Sequence, residues 1–213
     1  MEALNRFGAE KLEAVFLTHG HKDHAGGLKK LLESGCPVQS IYTAALDTQT
    51  YSKKTTKLIA ESGAEHRLLE AGQTLELEGV AIEVLAPLEV HPDEENDYSL
   101  VLRLEYGQRI FLLMGDATQR VERQLLALDT DLKADILKAG RHGKDDATCP
   151  AFLAAVSPKA VAFTGSTAED QNSLNPMVLQ RVQESGAQCY TNQGEHLLTS
   201  FVTDGNSLWV EIE

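Results

Sequence analysis

The chain has 213 residues, 42% of them hydrophobic and 24% charged, a balance that supports a buried core, argues against disorder and predicts a single domain over residues 1–213. Its formal net charge of −13 is spread along the sequence, so the surface repels polyanions over about a Debye length and disfavours nonspecific nucleic-acid binding; an anionic substrate needs a local cation. The apolar runs fall far short of the ~20 residues that a membrane span requires, and Cys36, Cys149 and Cys189 are too widely separated for a disulfide framework or a thiolate metal site, so all three are expected to be reduced.

In chain order, MEALNRFGAEKLEAVF places acids where a signal peptide needs a basic flank and an apolar core. The expectation is a cytoplasmic chain, or an extracellular one if it is a fragment of a longer exported or membrane protein. Residues 11–18 (KLEAVFLT) read as a strand that runs directly into THGHKDHAGGL (18–28). A helix is predicted over 28–34, stopping at Gly35 and Pro37, then a strand over 38–43, a helix over 48–62 closed by Gly63, and a strand over 66–70. From residue 74, TLELEGVAIEVLAP alternates apolar and polar residues and turns at Glu78-Gly79, the pattern of a hairpin with one buried face.

Beyond the polar HPDEEND, strands are predicted over 98–105 and 109–114, the second ending abruptly in Gly115-Asp116. Helix 118–128, strand 135–139, helix 147–156 and strand 159–164 alternate, and a helix over 175–184 has Pro176 in its first turn. The chain is expected to close with a three-stranded meander over 188–191, 195–203 and 207–212. The whole predicts two sheets packed face to face with helices on the outer faces.

His19, His21, Asp23 and His24 carry the strongest chemical signal. On extended backbone, residues two apart point the same way, so His19 and His21 can converge on one cation while Asp23 and His24, where the chain turns, face a second. Imidazole nitrogen with carboxylate oxygen suits borderline divalent metals, and Gly26 and Gly27 let backbone pack closely behind the ligands. A solvated histidine-rich loop would not need the preceding strand, the aspartate and the glycines together.

THGHKDHAGGL resembles the HxHxDH motif of the metallo-β-lactamase fold. NDYSLVLRLEYGQRIFLLMGDAT (96–118) is similar to the paired strands ending in Gly-Asp of the branch that includes the soluble domain of the DNA-uptake protein ComEC, and ADILKAGRHGKDD (134–146) and SPKAVAFTG (157–165) match its following strands. The similarity covers residues 11 to 205. It implies an α/β fold, the four-layer αββα sandwich, here N-terminally truncated, because the usual first strands with their Asp-Val-Gly-Gln-Gly-Asp signature are not in the sequence. It implies two divalent metal ions, zinc or manganese. His19, His21 and Asp116 would serve one ion, and Asp23, His24, Asp116 and His142 the other, with Asp116 bridging. Two such ions about 3.5 to 4 Å apart activate a bridging hydroxide and stabilise charge on a phosphoryl or carbonyl oxygen. Asp23 is the candidate catalytic residue, as the group that orients or deprotonates this water, as a ligand, or as both.

The resemblance therefore implies a metal-dependent hydrolase acting on a small molecule or a phosphodiester, with nucleic acid as a substrate despite the acidic surface. The alternative is a truncated or partly disabled metal-binding module without hydrolase activity. Departures from the family pattern favour that alternative. Where many members carry a third histidine for the first ion, Asn96 is the nearest match and His91 falls a few residues early; asparagine is a poor zinc ligand, which favours a weaker or harder ion. Arg141 replaces a histidine and is either a solvated residue or an anion contact. Leu174-Asn175-Pro176 replaces Gly-His-Pro. His66 and His196 match no motif and are expected to be structural or surface residues, Ser166 and Thr167 lie on a loop that could border the site, and Lys53, Lys54 and Lys57 form a solvated helix face.

Overall fold

The computed structural model describes residues 4, 6–89, 92–168, 170–192 and 198–212; His91 and His196 lie outside the described residues. Strand β1 (Leu12–Phe16) leads through the short helices α1 (Lys22–Ala25) and α2 (Leu28–Glu33) to β2 (Val38–Ala44), and α3 (Lys53–Glu61) leads to β3 (Glu65–Leu69). These three strands pair in parallel in the order β1-β2-β3. The predicted βαβαβ opening is thus present, with α1 as an additional turn that carries Asp23 and His24.

A second sheet is built from β4 (Thr74–Leu77), β5 (Val80–Ala86), β6 (Val101–Tyr106), β7 (Arg109–Leu113), β8 (Ile136–Lys138), β9 (Ala160–Phe163) and β10 (Gln188–Thr191). Its order runs β10-β9-β8-β7-β6-β5-β4. Pairing is antiparallel from β4 to β7 and parallel from β7 to β10. Helices α4 (Gln119–Ala127), α5 (Pro150–Val156) and α6 (Pro176–Glu184) lie along its outer face.

The period-two alternation of the strands assembles the layers. Ala14 and Phe16 of β1 and Tyr42 and Ala44 of β2 pack against Ile82, Val84 and Leu102 of the second sheet, with Phe16 and Tyr42 stacked at 4.7 Å. Val15 and Ile41, one residue out of phase, pack instead on Leu28, Leu58 and Ile59 of α2 and α3. Val101, Leu112, Leu137 and Val161 meet Val121, Leu125, Phe152, Leu153, Val178 and Val182 of the other helices. The result is the four-layer αββα sandwich.

The closing meander is corrected. Gln188–Thr191 pairs in parallel with Ala160–Phe163, while β11 (Thr199–Thr203) and β12 (Leu208–Ile212) form a separate antiparallel pair. The crossover through α6 brings β10 back beside β9, and local alternation does not encode that partner.

Two helices begin later than their apolar spacing suggests. Ser52 accepts the Thr55 N–H and caps α3, leaving residues 45–52 as a loop. Thr148 at φ +55° keeps residues 147–149 out of α5, and the Thr148 and Cys149 N–H groups are both held by the carboxylate of Glu122, which is 0% exposed. Replacing Glu122 with alanine leaves two buried donors unmatched and is expected to cost about 3 kcal/mol, read as a lower urea midpoint. Glu122→Gln, whose single amide oxygen can still accept, should recover part of that loss. An unchanged midpoint for the alanine variant would show that the carboxylate is dispensable as a cap.

Candidate metal centre

Every predicted ligand comes to one rim of the sandwich. Parallel strands present their carboxyl ends on the same side, so Asp116 after β7, His142 after β8 and the Thr164–Ser166 loop after β9 lie together. β6 runs antiparallel to β7, so the 3-10 turn Glu95–Tyr98 that precedes β6 reaches the same rim. The other sheet delivers His19 and His21 just past β1. The Leu100 N–H donates to the Thr18 carbonyl at 2.9 Å and ties the two sheets together there.

Asp23, His24, Asp116 and His142 each offer a ligand atom within 4.8 Å of all the others. His24 Nε2 lies 3.2 Å from His142 Nε2 and 3.2 Å from Asp116 Oδ1, and His142 Nε2 lies 3.4 Å from both Asp116 Oδ2 and Asp23 Oδ2. Donors bound at about 2.0–2.1 Å around a tetrahedral ion stand roughly 3.3 Å apart, so this spacing suits a divalent cation. His19 and His21 are adjacent to that group, with ring centroids 4.5 Å apart, and the His19 ring lies 4.3 Å from that of His24. His19 Nε2 and Asp116 Oδ1 are buried without a well-aligned hydrogen bond. Orphaned polar atoms of this kind need an explanation, and a cation between them supplies one.

The protonation states agree. Burial, reinforced by His24, pushes the His19 imidazole down to about 3, so it is neutral with a lone pair to offer. Burial alone would raise the Asp116 carboxyl, but His142, His24 and Lys138 override it and hold the group ionised, well below the usual carboxylate range. Lys138 donates to the Gly115 carbonyl at 2.6 Å and stands 3.7 Å from Asp116 Oδ1. Its pKa is lowered by burial, which Asp116 partly opposes.

Hydroxyls orient the imidazoles from behind: Ser99 Oγ lies 3.2 Å from His19 Nδ1, Thr18 Oγ1 3.1 Å from His24 Nδ1, and Thr164 Oγ1 3.1 Å from His142 Nδ1. With Nδ1 so engaged, each Nε2 is left facing the site. His142 is placed by backbone in the left-handed region at Arg141 (φ 46°) and His142 (φ 57°). The Leu174 and Asn175 N–H groups fix that turn by donating to the carbonyls of His142 and Gly143.

A cavity of about 740 Å³ opens over these residues, with Lys138, Arg141, Lys144, Thr164 and Ser166 on its wall. The solvated reading of Arg141 is corrected: its side chain is 17% exposed, paired with Asp146 and 3.7 Å from Glu94. Asn96 borders the cavity, but its amide donates to Glu94 Oε1, and Asn175 caps α6 by accepting the Met177 N–H. His66 sits in β3 on the Thr43 hydroxyl, away from the site, and Lys53, Lys54 and Lys57 are exposed. The three cysteines are free.

Sequence reasoning missed two contributors. Glu95 places Oε2 2.9 Å from His21 Nε2. The Asp47–Thr50 pair braces the histidine loop, Thr50 Oγ1 accepting the Gly20 N–H at 2.7 Å while its hydroxyl donates to Asp47. Neither carries a sequence signal beyond a polar loop.

A family model described as Metallo-beta-lactamase superfamily matches residues 2–165. The chain is 27% identical over 176 residues to ComE operon protein 3 of Bacillus subtilis (strain 168), covering 83% of this chain and 23% of that protein. It is 31% identical over 165 residues to competence protein ComA of Neisseria gonorrhoeae, covering 76% and 21%. It thus spans less than a quarter of the length of these curated relatives. Among solved structures, CmlA from Streptomyces venezuelae, described as a diiron β-hydroxylase, superposes with a TM-score of 0.60 at 12% identity, covering 84% of this chain and 43% of that one. No described helix is long and apolar enough to cross a membrane.

Proposed function

The chain belongs to the metallo-beta-lactamase superfamily, and from that premise we propose that it is a metal-dependent hydrolase of phosphodiesters, nucleic-acid strands included. In this reading His19, His21 and Asp116 hold one divalent ion, and Asp23, His24, Asp116 and His142 a second. The observation that carries it is the convergence of Asp23, His24, Asp116 and His142 on one point at ligand spacing. When bound, two such ions supply Lewis acidity and an acidified water. Zinc and manganese both suit the mixed nitrogen and oxygen donors.

The chain's own groups do the rest. Asp116 stays ionised beside His142, His24 and Lys138, and its carboxylate would be shared by the two ions. Asp23, 64% exposed on its side chain and 3.4 Å from His142 Nε2, is open to the cavity and positioned to accept a proton there. Arg141 and Lys144, with the Thr164 and Ser166 hydroxyls, line the wall where nonbridging oxygens of a phosphodiester would rest. The motifs that resemble the DNA-uptake branch, together with a relative named as a competence protein, support nucleic acid as the substrate in this reading. Fold alone leaves the reaction open, since the similar CmlA is described as a hydroxylase.

The test is elemental analysis together with turnover of bis-p-nitrophenyl phosphate, single-stranded DNA and nitrocefin. Metal uptake with cleavage of the two phosphodiesters is expected, lost on chelation and reduced about 100-fold or more in Asp23→Ala. Turnover of nitrocefin alone would sink the phosphodiester assignment, and metal uptake with no turnover would make the chain a metal-binding module.

A further inference from the structure

We propose that Glu95 is a protein ligand of the first metal ion, completing a donor set of His19, His21, Asp116 and Glu95. The inference rests on the reading of the rim as a two-ion centre. Without Glu95 that ion has only two imidazoles and a share of Asp116, the poorer half of the site.

Several observations lead to Glu95. His21 Nε2 faces Glu95 Oε2 at 2.9 Å. Two cis donors at about 2.1 Å from a six-coordinate ion stand roughly 3.0 Å apart, so the pair already has the edge length of a coordination shell. His19, 0% exposed and with its ring centroid 4.5 Å from that of His21, leaves its Nε2 buried without a hydrogen-bond partner. The neighbouring Asn96 is engaged: its amide donates to Glu94 Oε1. The turn that presents Glu95 is pinned at its far end, where Asp97 Oδ1 accepts the Thr118 N–H and the Leu100 N–H reaches across to Thr18. Glu95 is therefore held at the rim although its side chain is 59% exposed.

The consequence is a matched pair of sites. Each ion has two imidazoles, one carboxylate of its own (Glu95 or Asp23) and a share of Asp116. Three carboxylates against two divalent ions leave one net positive charge, and the oxygen-richer set moves the first site from zinc towards manganese or ferrous iron.

The full chain, stripped with chelator, is titrated with Mn²⁺ and separately with Zn²⁺ by calorimetry, and bound metal is counted by elemental analysis. Two ions are expected for the wild type. Glu95→Ala and Glu95→Gln, at an exposed position, should remain folded by circular dichroism, keep one ion and bind the other roughly 1,000-fold or more weakly, beyond the ~10–100-fold that losing a mere outer partner of His21 costs. Glu95→His should restore the second ion with a preference for Zn²⁺. Asp23→Ala should instead weaken the ion that the Glu95 variants retain. Wild-type stoichiometry and affinities in both Glu95→Ala and Glu95→Gln would overturn the assignment of Glu95 while leaving the two-ion reading intact. A wild-type chain that takes up no metal would overturn the two-ion reading and this inference with it.

Discussion

Asp116→Ala is expected to release both ions and to lower phosphodiester turnover by roughly 1,000-fold or more, about 4 kcal/mol of barrier. Asp116 is the one side chain that both halves of the proposed centre share, and its two oxygens lie 3.2 Å from His24 Nε2 and 3.4 Å from His142 Nε2, both donors of the proposed second ion. Its position is fixed from below: the Asp116 N–H donates to Ser99 Oγ, the same hydroxyl that contacts His19 Nδ1, and Gly115 before it turns at φ +53°. Removing the carboxylate also takes from Lys138 the anion that opposes its burial. Asp116→Asn separates the two effects, because it keeps the volume and loses the charge. Elemental analysis of both variants, beside their melting temperatures, is the measurement. Two ions per chain in a folded Asp116→Asn would rule out the bridging role.

Gly20→Ala is expected to be nearly as damaging although no ligand is touched. A β-carbon at Gly20 would stand 2.2 Å from the carbonyl carbon and oxygen of Thr50 and 2.4 Å from the Tyr51 nitrogen. Those are backbone atoms, so no flexible side chain can swing away. The contact belongs to a brace: Gly20 N–H to Thr50, Thr50 to Asp47, and the Tyr51 hydroxyl to the Leu17 carbonyl at 2.9 Å. Forcing the two loops apart costs about 3 kcal/mol by the usual measure of overpacking, and it moves His19 and His21 together. A fall in melting temperature with at least tenfold weaker metal binding is the expected outcome. Gly27→Ala is the control, since nothing lies within 4 Å of its would-be β-carbon and its φ of −70° suits any residue. Equal behaviour of the two variants would show that the brace does not position the ligands.

Much of this was legible in the sequence. The alternation through 74–87 predicts the hairpin, and HxHxDH, Gly-Asp and His-Gly, each at a strand end, point to the rim. The sequence period does not name a strand's partner, which is why alternation alone places Gln188–Thr191 in the closing meander rather than beside β9. It also could not distinguish a loop acid that faces a histidine from one that faces water: Glu94, Glu95 and Asp97 look alike in EENDY, yet one caps a turn, one meets His21 and one holds the Thr118 N–H. Glu122 was invisible for a related reason, since a glutamate in an amphipathic helix ordinarily faces solvent. The Arg141 alternatives depended on Asp146 and Glu94, whose approach is set by a left-handed backbone that the residue types do not announce.

The rim draws its candidate ligands from two sheets: His19, His21, Asp23 and His24 follow β1, whereas Asp116 and His142 follow β7 and β8. An ion held between them is a removable cross-link between halves of the sandwich that lie roughly ninety residues apart along the chain, closing a long loop as a disulfide would. At a free ion concentration 100 times the dissociation constant it would add about 2.7 kcal/mol to folding. Metal supply would then set the stability of the folded chain as well as its chemistry, and scarcity would weaken the protein along the seam where it works.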